Sequence, residues 1–245
     1  MTIETILTPA ELPMLAGRDL SGTTAVVFDI LRATSTFVTA LHHGAKAIIP
    51  VSEITEAVAR REQQPDVLLA GERDGLRIRA AQSGGIDFDF GNSPREFTPD
   101  RVRGKTIVST TTNGTRALRA VAGADQILAA SFLNLSATAK HLTKAQPENL
   151  LLVCAGTGEG VALEDVLAAG ALADLLADEL SDATEIARQT FLRSKADLAT
   201  VIASSKNGRR LLGIPELRAD VAFCSQRDVF NLVATMEADG TLRKA

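Results

Sequence analysis

Short runs of apolar, β-branched residues alternate with longer stretches of helical spacing along most of this chain. Each run is long enough for one buried strand, and the stretch that follows it is long enough for one helix. Alternation in this order is typical of an α/β fold, in which a mostly parallel or mixed sheet is flanked by helices in repeated βαβ-type units. Strands are predicted at residues 23–30, 45–51, 66–72, 104–110, 123–132 and 149–156.

Two of these units resemble each other. Residues 26–49 and 107–128 each contain a strand, a polar turn with Arg-Ala, a helix, Gly-Ala and a second strand. Repeated βαβ topology explains this likeness without any repeated function. With 245 residues, the chain is long enough for a single α/β domain over 1–245 or for two similar lobes.

The longest segment without a clear period is 73–100. A loop of this length in a compact protein is usually either functional or disordered. Its aromatic residues Phe88, Phe90 and Phe97 favour an ordered loop that is pinned to the body of the protein.

The last part of the chain has a mainly helical pattern. Residues 163–180 are predicted to form a long amphipathic helix, and helical spacing continues to about Leu212. A final strand is predicted over residues 219–226.

Composition excludes several classes of function. The chain has 26 basic and 30 acidic residues and no Tyr or Trp, so it offers neither a basic stripe nor stacking platforms for nucleic acid. Cys154 and Cys224 lie in apolar segments and do not suggest a disulfide framework, and Cys154 is predicted to be a buried structural thiol. No signal peptide and no run long enough for a membrane helix is recognised, which indicates a cytoplasmic protein with no membrane partner.

Polar residues follow three of the predicted strands at their carboxyl ends, where ligands bind in open α/β sheets. Each of these strand ends also leads into a helix, whose free N–H groups and dipole suit an anion such as phosphate. The candidate residues are Asp29, Arg32, Thr34 and Ser35 after the first strand, Thr112, Asn113, Gly114, Thr115 and Arg116 after the fourth, and Glu164 and Asp165 after the sixth.

Two readings of these residues stay open. Thr34, Ser35 and Thr115 can act as ordinary N-caps, which is a common use of hydroxyl side chains. Arg32 and Arg116 favour anion binding, because a guanidinium can hold two anionic oxygens and an arginine in the first turn of a helix opposes the dipole.

Four acidic residues at the same strand ends suggest a divalent cation. Asp29 and Glu72 each follow an apolar strand, where a carboxylate needs a cation or hydrogen bonds to compensate its burial. With Glu164 and Asp165 they are predicted to hold Mg²⁺, which prefers a few carboxylates together with water and substrate oxygens. The alternative to metal binding is that Glu164 and Asp165 stabilise the start of their helix through a favourable interaction with its dipole.

Several stretches together resemble one family, the 2-phosphosulfolactate phosphatases of the ComB type. They span nearly the whole chain, although the residues "AAQSGG" at 80–85 depart from the shorter loop of the family pattern. The matching stretches are "DILRATST", "AGERDGLRIRAAQSGGIDFDFGNSPREFT", "TTTNGTRAL", "CAGTGEGVALEDVLAAGAL", "SKNGRRL" and "DVAFCSQRD".

The resemblance implies a Mg²⁺-dependent phosphomonoester hydrolase that converts 2-phospho-3-sulfolactate to 3-sulfolactate and phosphate in coenzyme M biosynthesis. By position, it adds Asn92 and Ser93 for substrate binding. The active site that it implies consists of Asp29, Arg32, Glu72, Asn92, Ser93, Asn113, Arg116, Glu164 and Asp165. We therefore expect Asp29, Arg32, Glu72 and Arg116 to be catalytic.

Alternatives to this function and mechanism remain. The same pocket suits a phosphatase for another phosphorylated organic acid, or a non-catalytic binding protein for anionic metabolites. Attack by an activated water and attack by Asp29 with an aspartyl-phosphate intermediate both fit the residues. A homodimer is the common default for such an enzyme.

Overall fold

The protein is described from a computed structural model that covers residues 1–176 and 179–245. Within those ranges its strands form one mixed sheet of eleven strands. They are β1 (Thr2–Ile6), β2 (Thr23–Phe28), β3 (Ala47–Val51), β4 (Leu68–Arg73), β5 (Leu76–Arg77), β6 (Thr106–Thr110), β7 (Gln126–Ala130), β8 (Asn149–Cys154), β9 (Glu179–Leu180), β10 (Ala234–Met236) and β11 (Leu242–Lys244).

The described helices flank this sheet, which confirms the predicted α/β class. They are α1 (Ala33–His42), α2 (Ile54–Gln63), α3 (Ala80–Ser83), α4 (Pro99–Val102), α5 (Gly114–Ala120), α6 (Leu135–Ala145), α7 (Leu163–Leu176), α8 (Asp182–Ser194), α9 (Leu198–Ser204), α10 (Lys206–Leu212) and α11 (Arg218–Cys224). Short 3₁₀ segments lie at Pro9–Gly17, Pro94–Glu96, Phe132–Asn134 and Lys195–Asp197.

The sheet consists of two parallel sections joined by an antiparallel hairpin. Its strand order is β5-β4-β6-β3-β11-β10-β7-β2-β8-β1-β9. Strands β4, β6 and β3 form the short parallel section, and β7, β2, β8, β1 and β9 form the long one. The hairpin β10–β11 pairs antiparallel with both sections.

The two similar sequence units cross between these sections in opposite directions. The first unit runs from β2 in the long section through α1 to β3 in the short section. The second runs from β6 in the short section through α5 to β7 in the long section. The chain therefore passes from the long section to the short one through α1, and returns to the long section through α5.

The central strands are buried on both faces of the sheet. Along β2, Ala25 and Val27 belong to the core beneath α1 and α5, whereas Val26 and Phe28 belong to the core beneath α6 and α7. This two-sided burial explains the continuously apolar strand sequences, as expected of parallel strands. The two cysteines are free and buried, which confirms the prediction for Cys154, and burial raises the pKa of Cys224 to about 12.

The segment 73–100 is held in place by its three aromatic residues, as predicted. Phe88, Phe90 and Phe97 are each at most 2% exposed, and the Phe90 and Phe97 rings stack with centroids 4.6 Å apart. Phe90 also pairs through its backbone with Ala70 of β4. The segment is thus attached to the edge of the short section.

Two predicted elements differ in the structure. Residues 219–226, predicted as a strand, lie mostly in α11, because Asp220, Val221 and Cys224 are buried at the spacing of one helix face rather than at alternate positions. The helix predicted at 163–180 ends at Leu176 in the described part of the chain, residues 177–178 lie outside it, and Glu179 belongs to β9.

Helix α7 is also not amphipathic in its environment, because every residue from Glu164 to Ala173 is buried. Helix α8 covers its outer face so closely that a Cβ at Gly170 would lie 2.1 Å from the Ala187 carbonyl oxygen. Among the described residues, no helix is both long enough and apolar enough to cross a membrane.

Candidate active site

A polar cavity of about 250 Å³ lies where the carboxyl ends of β2, β4 and β6 meet. Of the residues predicted from the sequence, six line it. The full lining comprises Asp29, Leu31, Arg32, Glu72, Asp74, Gly75, Asn92, Thr111, Thr112, Asn113, Thr157, Gly158, Asn207 and Arg210.

Asp29 stands at the end of β2, and its carboxylate is 8% exposed. Its Oδ1 accepts a hydrogen bond from the Ala33 backbone N–H at 3.1 Å. Burial raises the pKa of Asp29 to about 7; the hydrogen bond from Ala33 opposes the shift, the charges of Glu72 and Glu164 add to it, and that of Arg32 opposes it. A carboxyl group with such a pKa can exchange a proton near neutrality.

The turn after β6 lies directly against Asp29. A Cβ on Gly114 would be 2.7 Å from the Ala33 Cβ and 2.9 Å from Asp29 Oδ2, so only glycine fits here without a shift of its neighbours. The two polar turns of the similar sequence units therefore meet at one place. This contact is what a shared pocket between distant strand ends requires.

Glu72, at the end of β4, links the turn after β6 to the turn between β4 and β5. Its Oε1 accepts hydrogen bonds from the backbone N–H and the hydroxyl of Thr112, at 3.0 and 2.8 Å. Its Oε2 accepts one from the Gly75 N–H at 2.7 Å. Three donors thus compensate the burial of this carboxylate.

Asp165 has a similar linking role at the start of α7. Its two oxygens accept hydrogen bonds from the Ile30 N–H at 2.8 Å and the Gly156 N–H at 3.0 Å, which ties together the ends of β2 and β8. Burial, with the charges of Glu164 and Asp29, raises the pKa of Asp165 well above its ordinary value.

Glu164 differs from its neighbour in having a spare oxygen. Its Oε1 accepts a hydrogen bond from Asn207 Nδ2 at 2.7 Å, and Asn207 lines the cavity. Its Oε2 is buried and has no hydrogen-bond partner among the described residues, and the same holds for Asn92 Oδ1. Such buried acceptors are rare unless a ligand or ion completes them.

Arg32 is held in place from two sides. Its Nη1 donates to Asp220 Oδ2 at 2.8 Å, and its Nη2 donates to the Gly75 carbonyl at 2.6 Å. Asp220, fully buried in α11, also accepts a hydrogen bond from the Ser93 hydroxyl at 2.7 Å. The peptide bond between Leu31 and Arg32 is cis. The hydrogen bonds to Asp220 and Gly75 give the buried guanidinium a fixed position in the cavity wall.

Of the four carboxylates predicted to hold Mg²⁺, Asp29 and Glu164 fit this role best. No group of three or more His, Cys, Asp or Glu side chains within the described residues is arranged as a metal cluster. Glu72 and Asp165 are occupied by N–H donors, whereas Asp29 Oδ2 and Glu164 Oε2 accept no hydrogen bond from residues 1–176 and 179–245. One or two carboxylates with water and substrate oxygens form a common Mg²⁺ environment.

Arg116 does not line the cavity. It is exposed on the outer side of α5, and its Nη1 forms an ion pair with Glu159 at 2.6 Å. The carboxylate of Glu159, rather than a bound anion, is therefore the partner that compensates an arginine in the first turn of this helix.

The predicted hydroxyl residues have mainly local partners. Thr34 bonds the Asp29 carbonyl at 3.0 Å, Ser35 the Ile30 carbonyl at 2.9 Å, and Thr115 the Thr111 carbonyl at 2.8 Å. They are buried, and none lines the cavity. These hydrogen bonds stabilise the turns that position Asp29 and Asn113.

The helical C-terminal part supplies residues that the analysis of strand ends could not find. Asn207 and Arg210 lie on α10, where the Ser205 hydroxyl caps the helix by accepting from the Gly208 N–H at 3.0 Å. A Cβ on Gly208 would lie 2.1 Å from the Ile202 carbonyl oxygen, so α10 sits tightly against α9. These residues and Asp220 lie in the stretches "SKNGRRL" and "DVAFCSQRD", which resemble the family pattern.

Comparison with known proteins gives one consistent result. The family described as 2-phosphosulpholactate phosphatase matches residues 7–239. A protein of Thermotoga petrophila named probable 2-phosphosulfolactate phosphatase is 42% identical over 214 residues, which cover 87% of this chain and 88% of the relative. Proteins of the same name from Caldanaerobacter subterraneus subsp. tengcongensis and Synechococcus sp. are 38% and 36% identical, over 90% and 89% of this chain and 90% and 91% of theirs. The chain therefore belongs to the 2-phosphosulpholactate phosphatase family.

Proposed function

We propose that this protein is a Mg²⁺-dependent phosphomonoester hydrolase that releases phosphate from 2-phosphosulfolactate and leaves 3-sulfolactate. The observation that carries the proposal is the pair Asp29 and Glu164, each with an oxygen that accepts no hydrogen bond from the described residues, beside the buried guanidinium of Arg32. The names of the relatives supply the substrate.

The cavity matches a small anionic ester in size and charge. Its volume of about 250 Å³ is below the range of about 300–1,000 Å³ typical of drug-sized ligands, and it suits a molecule with a three-carbon backbone. Arg32 is placed to hold the phosphoryl oxygens, because its position is fixed by Asp220 and Gly75 before the substrate arrives.

Asp29 accepts the proton of the attacking water in this proposal. The raised pKa of about 7 without metal means that the protein compensates the charge of this carboxylate poorly, so the carboxylate gains from a proton or a cation. The water oxygen bonds to phosphorus, the ester P–O bond breaks, and the leaving alkoxide is protonated by solvent through the open side of the cavity. Mg²⁺, held by Asp29 and Glu164 when bound, would neutralise charge on the phosphoryl oxygens.

Phosphate release from 2-phosphosulfolactate tests the function directly. We expect turnover by the purified protein, its loss with a chelator, and its return when Mg²⁺ is added in excess. Turnover that persists in the chelator would refute the metal requirement. Saturable binding of the ester without any phosphate release would instead identify an anion-binding protein.

Acid quenching with radiolabelled substrate separates the two chemical routes. If water attacks directly, no radiolabelled phosphate remains on the protein. Label that survives the quench and is released by hydroxylamine would assign Asp29 as a nucleophile that forms an aspartyl phosphate.

A further inference from the structure

Arg210 presents a guanidinium to the same cavity from α10. Its Cζ, Nη1 and Nη2 atoms lie 3.7–3.8 Å from the position of a Cβ on Gly75, so the group rests against the turn that joins β4 to β5. The side chain is exposed at the cavity mouth. Within residues 1–176 and 179–245, no hydrogen bond or ion pair involves this guanidinium.

Arg32 touches the same turn from inside the protein. Its Nη2 donates to the Gly75 carbonyl oxygen, whereas Arg210 faces the Gly75 Cα. The two guanidinium groups therefore flank one glycine, one buried and one at the mouth. Gly75 itself has φ of +82° and has no Cβ to separate them.

The charges of these two arginines are compensated differently. Asp220 forms a buried ion pair with Arg32 at 2.8 Å, and the charge of Arg32 also acts on Asp29. At the mouth, Asp74 also lines the cavity, but it is not within ion-pair distance of Arg210 in the described structure. The positive charge of Arg210 is thus available to a ligand.

We propose that Arg210 binds the second anionic group of the substrate, the carboxylate or sulfonate that is not transferred, and so determines specificity for phosphorylated acids. The inference rests on the proposed function for the placement of the phosphoryl group beside Asp29 and Arg32. A guanidinium suits this task because its planar N–H donors can hold two oxygens of a carboxylate or sulfonate at once.

Arg209 and Arg116 provide matched comparisons. Arg209 is the preceding residue of α10, is exposed, and donates to the Ser204 carbonyl instead of lining the cavity. Arg116 is exposed near the cavity but is neutralised by Glu159. If positive charge near the site were sufficient, substitution of any of the three would have the same effect.

The kinetic test compares R210Q with R209Q on two esters. We expect R210Q to raise KM for 2-phosphosulfolactate by about 10- to 100-fold, the usual effect of losing a hydrogen bond to a charged group, and to change kcat little. The loss on phenyl phosphate, which has no second acid, should be at least about tenfold smaller, and R209Q should match the wild type on both. Equal losses on both esters, or an unchanged KM for 2-phosphosulfolactate, would overturn the assignment.

A third ester shows which anionic group Arg210 holds. 2-Phospholactate keeps the carboxylate and lacks the sulfonate. If R210Q raises KM for this ester as strongly, the carboxylate is the bound group; if the penalty disappears, the sulfonate is.

Calorimetric titration with 3-sulfolactate, which carries no phosphate, tests the site without turnover. Weaker binding by R210Q than by R209Q supports the inference even if the wild type hydrolyses none of the esters, in which case the proposed function alone fails. Equal binding by the two variants, or no binding by the wild type, overturns it. Equal melting temperatures of the two variants would show that neither result reflects a folding defect.

Discussion

The four acidic side chains predicted for the site differ in what occupies their oxygens. Glu72 and Asp165 each accept backbone N–H donors on both oxygens, which joins separate turns. Asp29 and Glu164 each keep one oxygen without a hydrogen-bond donor in the part of the chain that the structure describes. Because a carboxylate saturated by backbone donors is a poor ligand, the first pair holds the site together and the second pair is suited to chemistry.

Replacing Asp29 with asparagine tests its part in proton transfer. We expect D29N to lower kcat for 2-phosphosulfolactate by about 10²- to 10⁴-fold, because an amide cannot accept the proton. Circular dichroism should show an unchanged fold, since the Ala33 N–H can still donate to the amide oxygen. A D29N enzyme with nearly wild-type kcat would remove Asp29 from the mechanism.

The adjacent residues Glu164 and Asp165 offer a matched pair for metal binding. We expect Mg²⁺ to raise the melting temperature of the wild type, and this shift to be lost in E164Q. D165N should instead lower the free energy of unfolding by about 1–3 kcal/mol, because its amide nitrogen faces a backbone N–H that loses its acceptor. A full Mg²⁺-dependent shift in E164Q would exclude Glu164 as a ligand.

At the scale of elements, close packing between helices sets where functional residues lie. Helices α9 and α10 touch at Gly208, and α7 and α8 touch at Gly170. The first contact fixes Asn207 and Arg210, and the second covers the outer face of the helix that begins with Glu164 and Asp165. Neither contact is visible as a strand-end motif, so these helices have to be placed before their polar residues can be interpreted.

The substitution G170A sets helix propensity against packing. Alanine is the better helix former by about 0.8–1 kcal/mol, but its Cβ would meet the Ala187 carbonyl at 2.1 Å. Since a backbone atom cannot move away cheaply, we expect a net loss of about 1–3 kcal/mol in urea unfolding. The control G17A has no atom within 4 Å of the new Cβ and should be close to neutral. A stabilised G170A would show that α8 is free to move away.

At the scale of the whole molecule, one site takes strand ends from both parallel sections. Three successive antiparallel pairings lie between β3 and β7, so a flat sheet would place the carboxyl ends of β2 and β6 at opposite edges. Five pairings separate these two strands in the sheet order. Because Gly114 after β6 nevertheless lies against Asp29 after β2, the sheet is not flat, and the usual twist of about 20–25° for each pairing is the expected cause.

The burial of Asp29 makes the stability of the fold depend on pH. Its folded pKa of about 7 lies above its ordinary value of 3.8, so the native state binds the proton more tightly than the unfolded chain. The contribution to stability is complete below pH 3.8 and is lost as the pH rises to about 7. Without metal, D29N should therefore gain on the wild type as the pH rises across this window.

Melting temperatures of both proteins in a chelator at pH 4.5 and pH 8 measure this effect. We expect the difference between D29N and the wild type to grow by roughly 5–10 °C over this interval. The charge of Asp29 helps to raise the pKa of Asp165, so that pKa is raised less in D29N and the titration of Asp165 changes the difference in the same direction. The same difference in melting temperature at both pH values would mean that burial does not disfavour the charged form of Asp29.

Part of the site could be predicted because its residues follow directly from strand ends. Asp29, Glu72, Thr112 and Asn113 each come after an apolar run, and all four line the cavity. The side-chain direction of Arg116 could not be predicted in this way. Arg116 is two residues after Gly114, the first residue of α5, and residues at this spacing in a helix lie on different faces. The strand predicted over 219–226 was wrong for a related reason: its apolar residues contact neighbours that only the folded chain brings near.

The order of apolar runs and polar turns in the sequence by itself determined the α/β class, most of the strands and the buried acids at their ends, because these depend on periodicity and on the cost of burying charge. The tertiary structure alone decided which acids keep a free oxygen, that Asp220 holds Arg32, and that Arg210 rather than Arg116 lines the cavity. These facts depend on contacts between residues far apart in the chain, and such contacts arise only once the twisted sheet and its helices are packed.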